Sequence, residues 1–128
     1  MKVIKIPYNI ECPCTVHTVP EPAEEGCFDQ IKKLIEIDWA EIVLTRLRSD
    51  ELYREFVLIV DECGKLKDQW DARINDRASI FYTGTYYGDP IVGDVVICAR
   101  QWAPGFGECD LDGLDDLEIL SILSKFNE

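Results

Sequence analysis

Histidine is almost missing from this chain: His17 is the only one in 128 residues, and methionine also occurs once. Imidazole chemistry, as a base or as a metal ligand, therefore has one residue to work with. Positive charge is scarce as well. Lys and Arg number 13 against 25 Asp and Glu, a formal net charge of −12 at pH 7. Such a chain does not coat nucleic-acid phosphates, because that mode needs clustered basic residues that displace counterions. Anionic membrane surfaces are disfavoured for the same reason. No apolar run approaches the ~18 residues needed to span a bilayer. The basic, apolar start Met1–Ile6 is interrupted by Pro7, Asn9 and Glu11 before a signal-peptide core could form, so a cytoplasmic location is expected. In that compartment the six cysteines (Cys12, Cys14, Cys27, Cys63, Cys98, Cys109) are expected as reduced thiols. Repeats, low-complexity segments and dividing linkers are also absent.

What is present suits an ordinary globular chain. Hydrophobic residues make up 47% and aromatics 10%, which excludes a disordered composition. The length fits one domain over residues 1–128, burying about two thirds of its unfolded surface. Residues 2–6 and 14–19 are β-branched runs that end at Pro7 and Pro20, and both read as strands. Residues 27–37 place Phe28, Ile31, Leu34 and Ile35 on one helical face, behind the acids Glu24 and Glu25. Residues 39–48 and 56–60 read as two strands of an antiparallel pair turned at 49–51. The second is apolar throughout and so belongs in the middle of a sheet. Asp61–Gly64 is a turn that predicts positive φ at Gly64, and the polar residues 65–74 follow no period.

A short helix is predicted over 75–82, with Ile74, Ala78, Phe81 and Tyr82 inward. A loop over 83–90 and a strand over 91–99 follow, and 102–113 is irregular. The last helix, 114–126, is predicted to bury Leu114, Leu117, Leu120, Leu123 and Phe126, with Ile119 and Ile122 widening that face. Asp112, Asp115, Asp116 and Glu118 crowd its positive end. Helices do not alternate strictly with strands. The expected class is therefore α+β, with a mainly antiparallel sheet packed by two longer helices and one short one.

Three segments share features with a known family. They are an apolar strand entering an acidic-Gly turn (VLIVDECGKLK, Val57–Lys67), an Asn-x-x-Ala element (NDRAS, Asn75–Ser79) and GDPIVGDVVI (Gly88–Ile97). In these the chain resembles the family catalogued as domain of unknown function 3846, found in small bacterial, phage and mobile-element proteins. The helix-strand part Phe28–Leu47 and the C-terminal helix fit the same layout. Typical members approach the asparagine through a Leu-Pro-rich stretch, where this chain has DQWDARIN (Asp68–Asn75). The resemblance implies a cytoplasmic protein associated with mobile elements and assigns no activity.

Several constellations could carry chemistry. Cys12, Cys14, His17 and Cys27 are zinc-type ligands, but the spacing lacks a second cysteine pair. His17 could activate a thiol only through the fold, because Cys14 and His17, three apart on a strand, face opposite sides. Asp94, inside a predicted strand, could be buried enough for acid–base work, or could bind a backbone N–H. Asn75, Arg77 and Asp89 could line a ligand pocket with Tyr82, Tyr86, Tyr87 and Trp102. The alternative for Asn75 is a helix cap.

The strongest compositional signal is C-terminal. Glu108, Asp110, Asp112, Asp115, Asp116 and Glu118 lie within eleven residues that hold no base. Such a patch suits a basic partner surface, or imitates DNA phosphates toward a DNA-binding protein. Asp110–Gly113 lacks the ligand pattern of an EF-hand loop.

The leading expectation is thus an accessory protein, not an enzyme, that binds a basic or nucleic-acid-handling protein and needs no cofactor or metal. Direct contact with nucleic acid or membrane is not expected, and the oligomeric state is open. The alternative is a small-molecule or nucleotide module using the Asn75–Trp102 region. The binding residues expected on one reading or the other are Asn75, Arg77, Asp89, Asp94, Trp102, Asp110, Asp112, Asp115 and Asp116.

Overall fold

The computed structural model describes residues 1–21, 25–49, 54–83, 90–101 and 111–126. Their strands form one antiparallel sheet. The strands are β1 (Lys2–Ile6), β2 (Thr15–Thr18), β3 (Ala40–Ser49), β4 (Arg54–Asp61), β5 (Val95–Gln101) and the two-residue β6 (Leu111–Asp112). The sheet order is β2-β1-β5-β4-β3, and β6 pairs β5 beyond the end of β1. Three helices complete the fold: α1 (Cys27–Ile35), α2 (Asp76–Thr83) and α3 (Asp116–Phe126). The fold is α+β.

Alternation along the central strands explains the layering. Phe56–Val60 and Val95–Ala99 are all buried, as apolar strands covered on both faces must be. Phe56, Leu58, Val60, Val95, Ile97 and Ala99 point to one core, which Ala78 of α2 and Ile119 and Ile122 of α3 cover. Val57, Ile59, Val96 and Cys98 point to the other, covered by Cys27, Ile31 and Ile35 of α1. In α1 those three residues recur every four, the spacing of one helix face. The helix is bounded by left-handed residues, Gly26 at φ 91° and Glu36 at φ 56°. The Glu36 N–H turns back to the Lys32 and Lys33 carbonyls.

The structure departs from the sequence expectation in five places. The strand expected from residue 91 starts at Val95. Gly93 takes φ 84° and donates its N–H to the Arg73 carbonyl at 2.7 Å, which interrupts the ladder. Gly64 does not adopt positive φ. It opens a 3-10 turn packed against Val92. The unassigned stretch 65–74 contributes to two 3-10 turns, Gly64–Leu66 and Trp70–Arg73. Part of the expected irregular segment forms β6.

The fifth departure is in α3, where Leu117 and Leu120 are 71% and 64% exposed while Leu114, Ile119 and Ile122 are buried. A spacing of three turns back by about 60° per step on a 3.6-residue helix, so five such positions sweep about 240° and cannot share one face. Residues 119, 122, 123 and 126 follow the true face.

Candidate functional site

Three of the expected binding residues converge, and they converge on the connection between β1 and β2. Asn75 is fully buried just before α2. Its Oδ1 accepts the Ala78 N–H at 3.0 Å, an N-cap, and its Nδ2 donates to the Ile6 and Gly93 carbonyls at 2.9 Å each. Arg77 Nη2 donates to the Pro7, Asn9 and Cys12 carbonyls at 2.7, 3.1 and 2.9 Å. Asp94 Oδ1 accepts the Tyr8 N–H at 3.0 Å, and its Oδ2 lies 3.8 Å from Lys5 Nζ. The Arg73 guanidinium sits 5.5 Å from the centre of the Tyr8 ring. These groups fasten residues 7–12 to the sheet. Asn75 and Arg77 thus serve as internal fasteners, while Tyr86, Tyr87, Asp89 and Trp102 of the expected ligand pocket lie outside the described residues. Asp94 makes the backbone bond that was the alternative reading of this residue. Asp110 also lies outside the described residues.

The described C-terminal carboxylates are also engaged within the chain. Asp115 Oδ1 accepts the Glu118 N–H at 2.7 Å, and Glu118 Oε1 accepts the Asp115 N–H at 3.0 Å, a reciprocal capping box at the start of α3. Asp112 Oδ1 accepts the Gly113 N–H at 2.8 Å. Asp116 Oδ1 lies 3.1 Å from Lys2 Nζ. Glu118 itself is buried. Between them these acids start a helix and tie it to β1.

Among the described residues the thiol and imidazole groups do not assemble, and Cys109 lies outside them. His17 lies on the edge strand opposite Val3, and its Nε2 is 2.7 Å from Thr15 Oγ1. Cys14 packs against the other core, as its spacing from His17 requires. Burial pushes the Cys14 thiol above its ordinary range, while the Arg77 guanidinium pulls the other way. Cys27 and Cys98 are buried in the α1 core, and Cys12 is exposed. Among the described residues no group of three or more His, Cys, Asp or Glu is placed to hold a metal ion. No helix among them is long and apolar enough to cross a membrane.

Two concavities are formed by the described residues: an open one of about 470 Å³ beside the end of α1 (Asp29, Lys32, Lys33, Glu36, Ile37, Asp38), and a tighter one at the open end of β3 and β4, which no sequence pattern singled out. The tighter one encloses about 230 Å³. Val43, Val60, Pro90, Ile91 and Val92 supply its apolar lining, and Glu41, Asp61, Glu62 and Lys65 its charges. Asp61 is answered internally: its Oδ2 is 2.6 Å from Lys67 Nζ and its Oδ1 accepts the Cys63 N–H at 3.0 Å. Glu41 and Glu62 are exposed and form no ion pair with another described residue. The β3–β4 ladder pairs Glu41 with Val60 and Ala40 with Asp61. It continues one step further, where the Glu62 N–H donates to the Trp39 carbonyl at 3.0 Å. Trp39 and Glu62 therefore share the register of Glu41 and Val60 and leave the same face of the sheet. Trp39 is 67% exposed. Alternation of Trp39 and Glu41 was visible in the sequence, but their partners across the ladder were not.

Comparison with family models, with curated proteins and with solved structures yields no match for this chain.

Proposed function

We propose that this chain is an acidic accessory protein of the cytoplasm that acts by binding a basic protein surface, on a partner that handles nucleic acid. The observation that supports this most is where its surplus charge is left over. The described C-terminal acids are largely used as caps and ties, whereas Glu41, Glu62, Asp68, Asp71 and Asp76, together with Glu11, Glu25, Glu36 and Asp38, are exposed and make no ion pair with another described residue. The first five run from β3 (Glu41) through the residue after β4 (Glu62) and the 3-10 region (Asp68, Asp71) to the first residue of α2 (Asp76). Carboxylates free of internal partners are the ones that steer and hold a cationic surface. The association with mobile elements, and membership of the domain of unknown function 3846 family, rest on the three resembling segments alone. The small-molecule alternative has less support: Asn75 and Arg77 are committed to the fold. The tighter cleft, at about 230 Å³, is also below the roughly 300 Å³ at which pockets for drug-sized ligands begin.

The test is retention on the immobilised protein followed by a salt gradient, with each eluted protein identified by mass. A basic partner is expected, released by moderate salt as screening shortens the Debye length toward about 3 Å at 1 M. A neutral or acidic partner that stays bound at high salt overturns the proposal.

A further inference from the structure

We infer that the cleft at the end of β3 and β4 is a receptor for a single arginine side chain presented by the protein partner. This inference rests on the proposed binding of a basic surface and names the place and the group that carry it. Size comes first. About 230 Å³ suits one long side chain and not a nucleotide or cofactor. The lining comes second. Val43, Val60, Ile91 and Val92 offer apolar surface to an aliphatic stem, while Glu41 and Glu62 offer carboxylates to its head. Long basic side chains divide their contacts in this way, stem on apolar surface and charge on polar groups.

Charge complementarity comes third. Glu41 and Glu62 are diagonal neighbours on one face, about 7–8 Å apart along the ladder, and two like charges at that distance favour a cation near both. Asp61 adds little, because Lys67 neutralises it, and among the described lining residues Lys65 is the one cation. Trp39 is the fourth observation. It does not line the cleft, but it precedes Glu41 by two residues and its carbonyl accepts the Glu62 N–H, and an indole 67% exposed at that end of the sheet is a surface on which a planar guanidinium stacks. Arginine fits better than lysine because its planar fork meets carboxylates bidentately and stacks on indole, whereas an ammonium does neither.

The experiment titrates the full chain with the capped hexapeptide Gly-Arg-Gly-Arg-Gly-Arg, and with the same peptide carrying lysine or the uncharged isostere citrulline. Backbone amide NMR shifts of Glu41–Val43 and Val60–Lys65 report the site. The arginine peptide is expected to move these signals, lysine to bind more weakly, and citrulline to leave them unchanged. The double variant Glu41→Gln with Glu62→Gln should weaken arginine binding about tenfold, and Trp39→Ala about threefold. A control with the same loss of charge, Glu11→Gln with Glu25→Gln, should change it less than about twofold. Unfolding temperatures of all variants establish that they are folded.

Equal losses in the cleft variant and the control would overturn the receptor and leave the proposed function standing, since binding would then follow overall charge. Citrulline binding as well as arginine would also overturn it, because the site would not be reading charge. Absence of arginine binding at low salt would remove both proposals.

Discussion

Asn75 shows how a residue that reads as a ligand contact can be consumed by the fold. All its side-chain hydrogen-bonding directions point inward: an acceptor to the first turn of α2, and donors to carbonyls at the end of β1 and at Gly93. Asn75→Ala removes the cap and leaves two carbonyls without their donor, a loss of about 3 kcal/mol in unfolding free energy. Asn75→Asp is expected to cost more, because it keeps the cap but sets a carboxylate against two buried carbonyl oxygens. Denaturant titration of both variants checks the order, and an aspartate variant as stable as the parent would refute the account.

Cys14 carries a pH signature at the same scale. As pH rises, the unfolded chain ionises this thiol before the folded protein does, because burial holds the folded value up. Its contribution is intact below the ordinary thiol range, near about 8.5, and is lost as pH climbs toward the raised folded value. As pH rises through the ordinary thiol range and toward the raised folded value, the parent should therefore lose more stability than Cys14→Ala. In parallel, mass analysis of timed alkylation should find Cys12 labelled before Cys14, and Cys27 and Cys98 only on unfolding.

Among the elements, α3 separates what composition suggests from what position does. Its acids look like an interaction patch, yet Asp115 and Glu118 satisfy each other's backbone N–H groups. Asp115→Ala should lower stability by about 1 kcal/mol, the usual worth of a cap, and leave binding to a basic partner nearly unchanged. Calorimetry together with a binding titration reads both numbers. Loss of binding without loss of stability would return the docking role to this helix.

The two faces of α3 follow from the same cap. Once the helix starts at Asp116, Ile119 and Ile122 meet the sheet, and Leu117 and Leu120 are turned outward. In β4 the alternation is simpler to read, because a period of two assigns every other residue to one core and the remainder to the opposite one.

For the whole molecule, the important fact is that both cores share β4 and β5. Leu58 and Val60 serve one face while Val57 and Ile59 serve the other, so neither layer can be lost without exposing the same strands. Unfolding should be a single transition. Ile31→Ala under α1 and Ile122→Ala under α3 should each destabilise it by about 2–5 kcal/mol without splitting it. A second calorimetric peak in either variant would contradict this coupling.

Local pattern was enough for β1 to β5, the three α-helices and the α+β class, because period two and period 3.6 are written in neighbouring residues, but not for the two-residue β6. Charge excess and the scarcity of imidazole were likewise matters of composition. Side-chain duty was not legible. Whether Asn75 meets a ligand or a carbonyl depends on β1, almost seventy positions earlier. The Glu41, Glu62 and Trp39 cluster exists only because the β3–β4 register brings positions twenty residues apart onto one face. Cross-strand register and burial are long-range outcomes of packing, and they alone decided which carboxylates hold the fold together and which are left exposed.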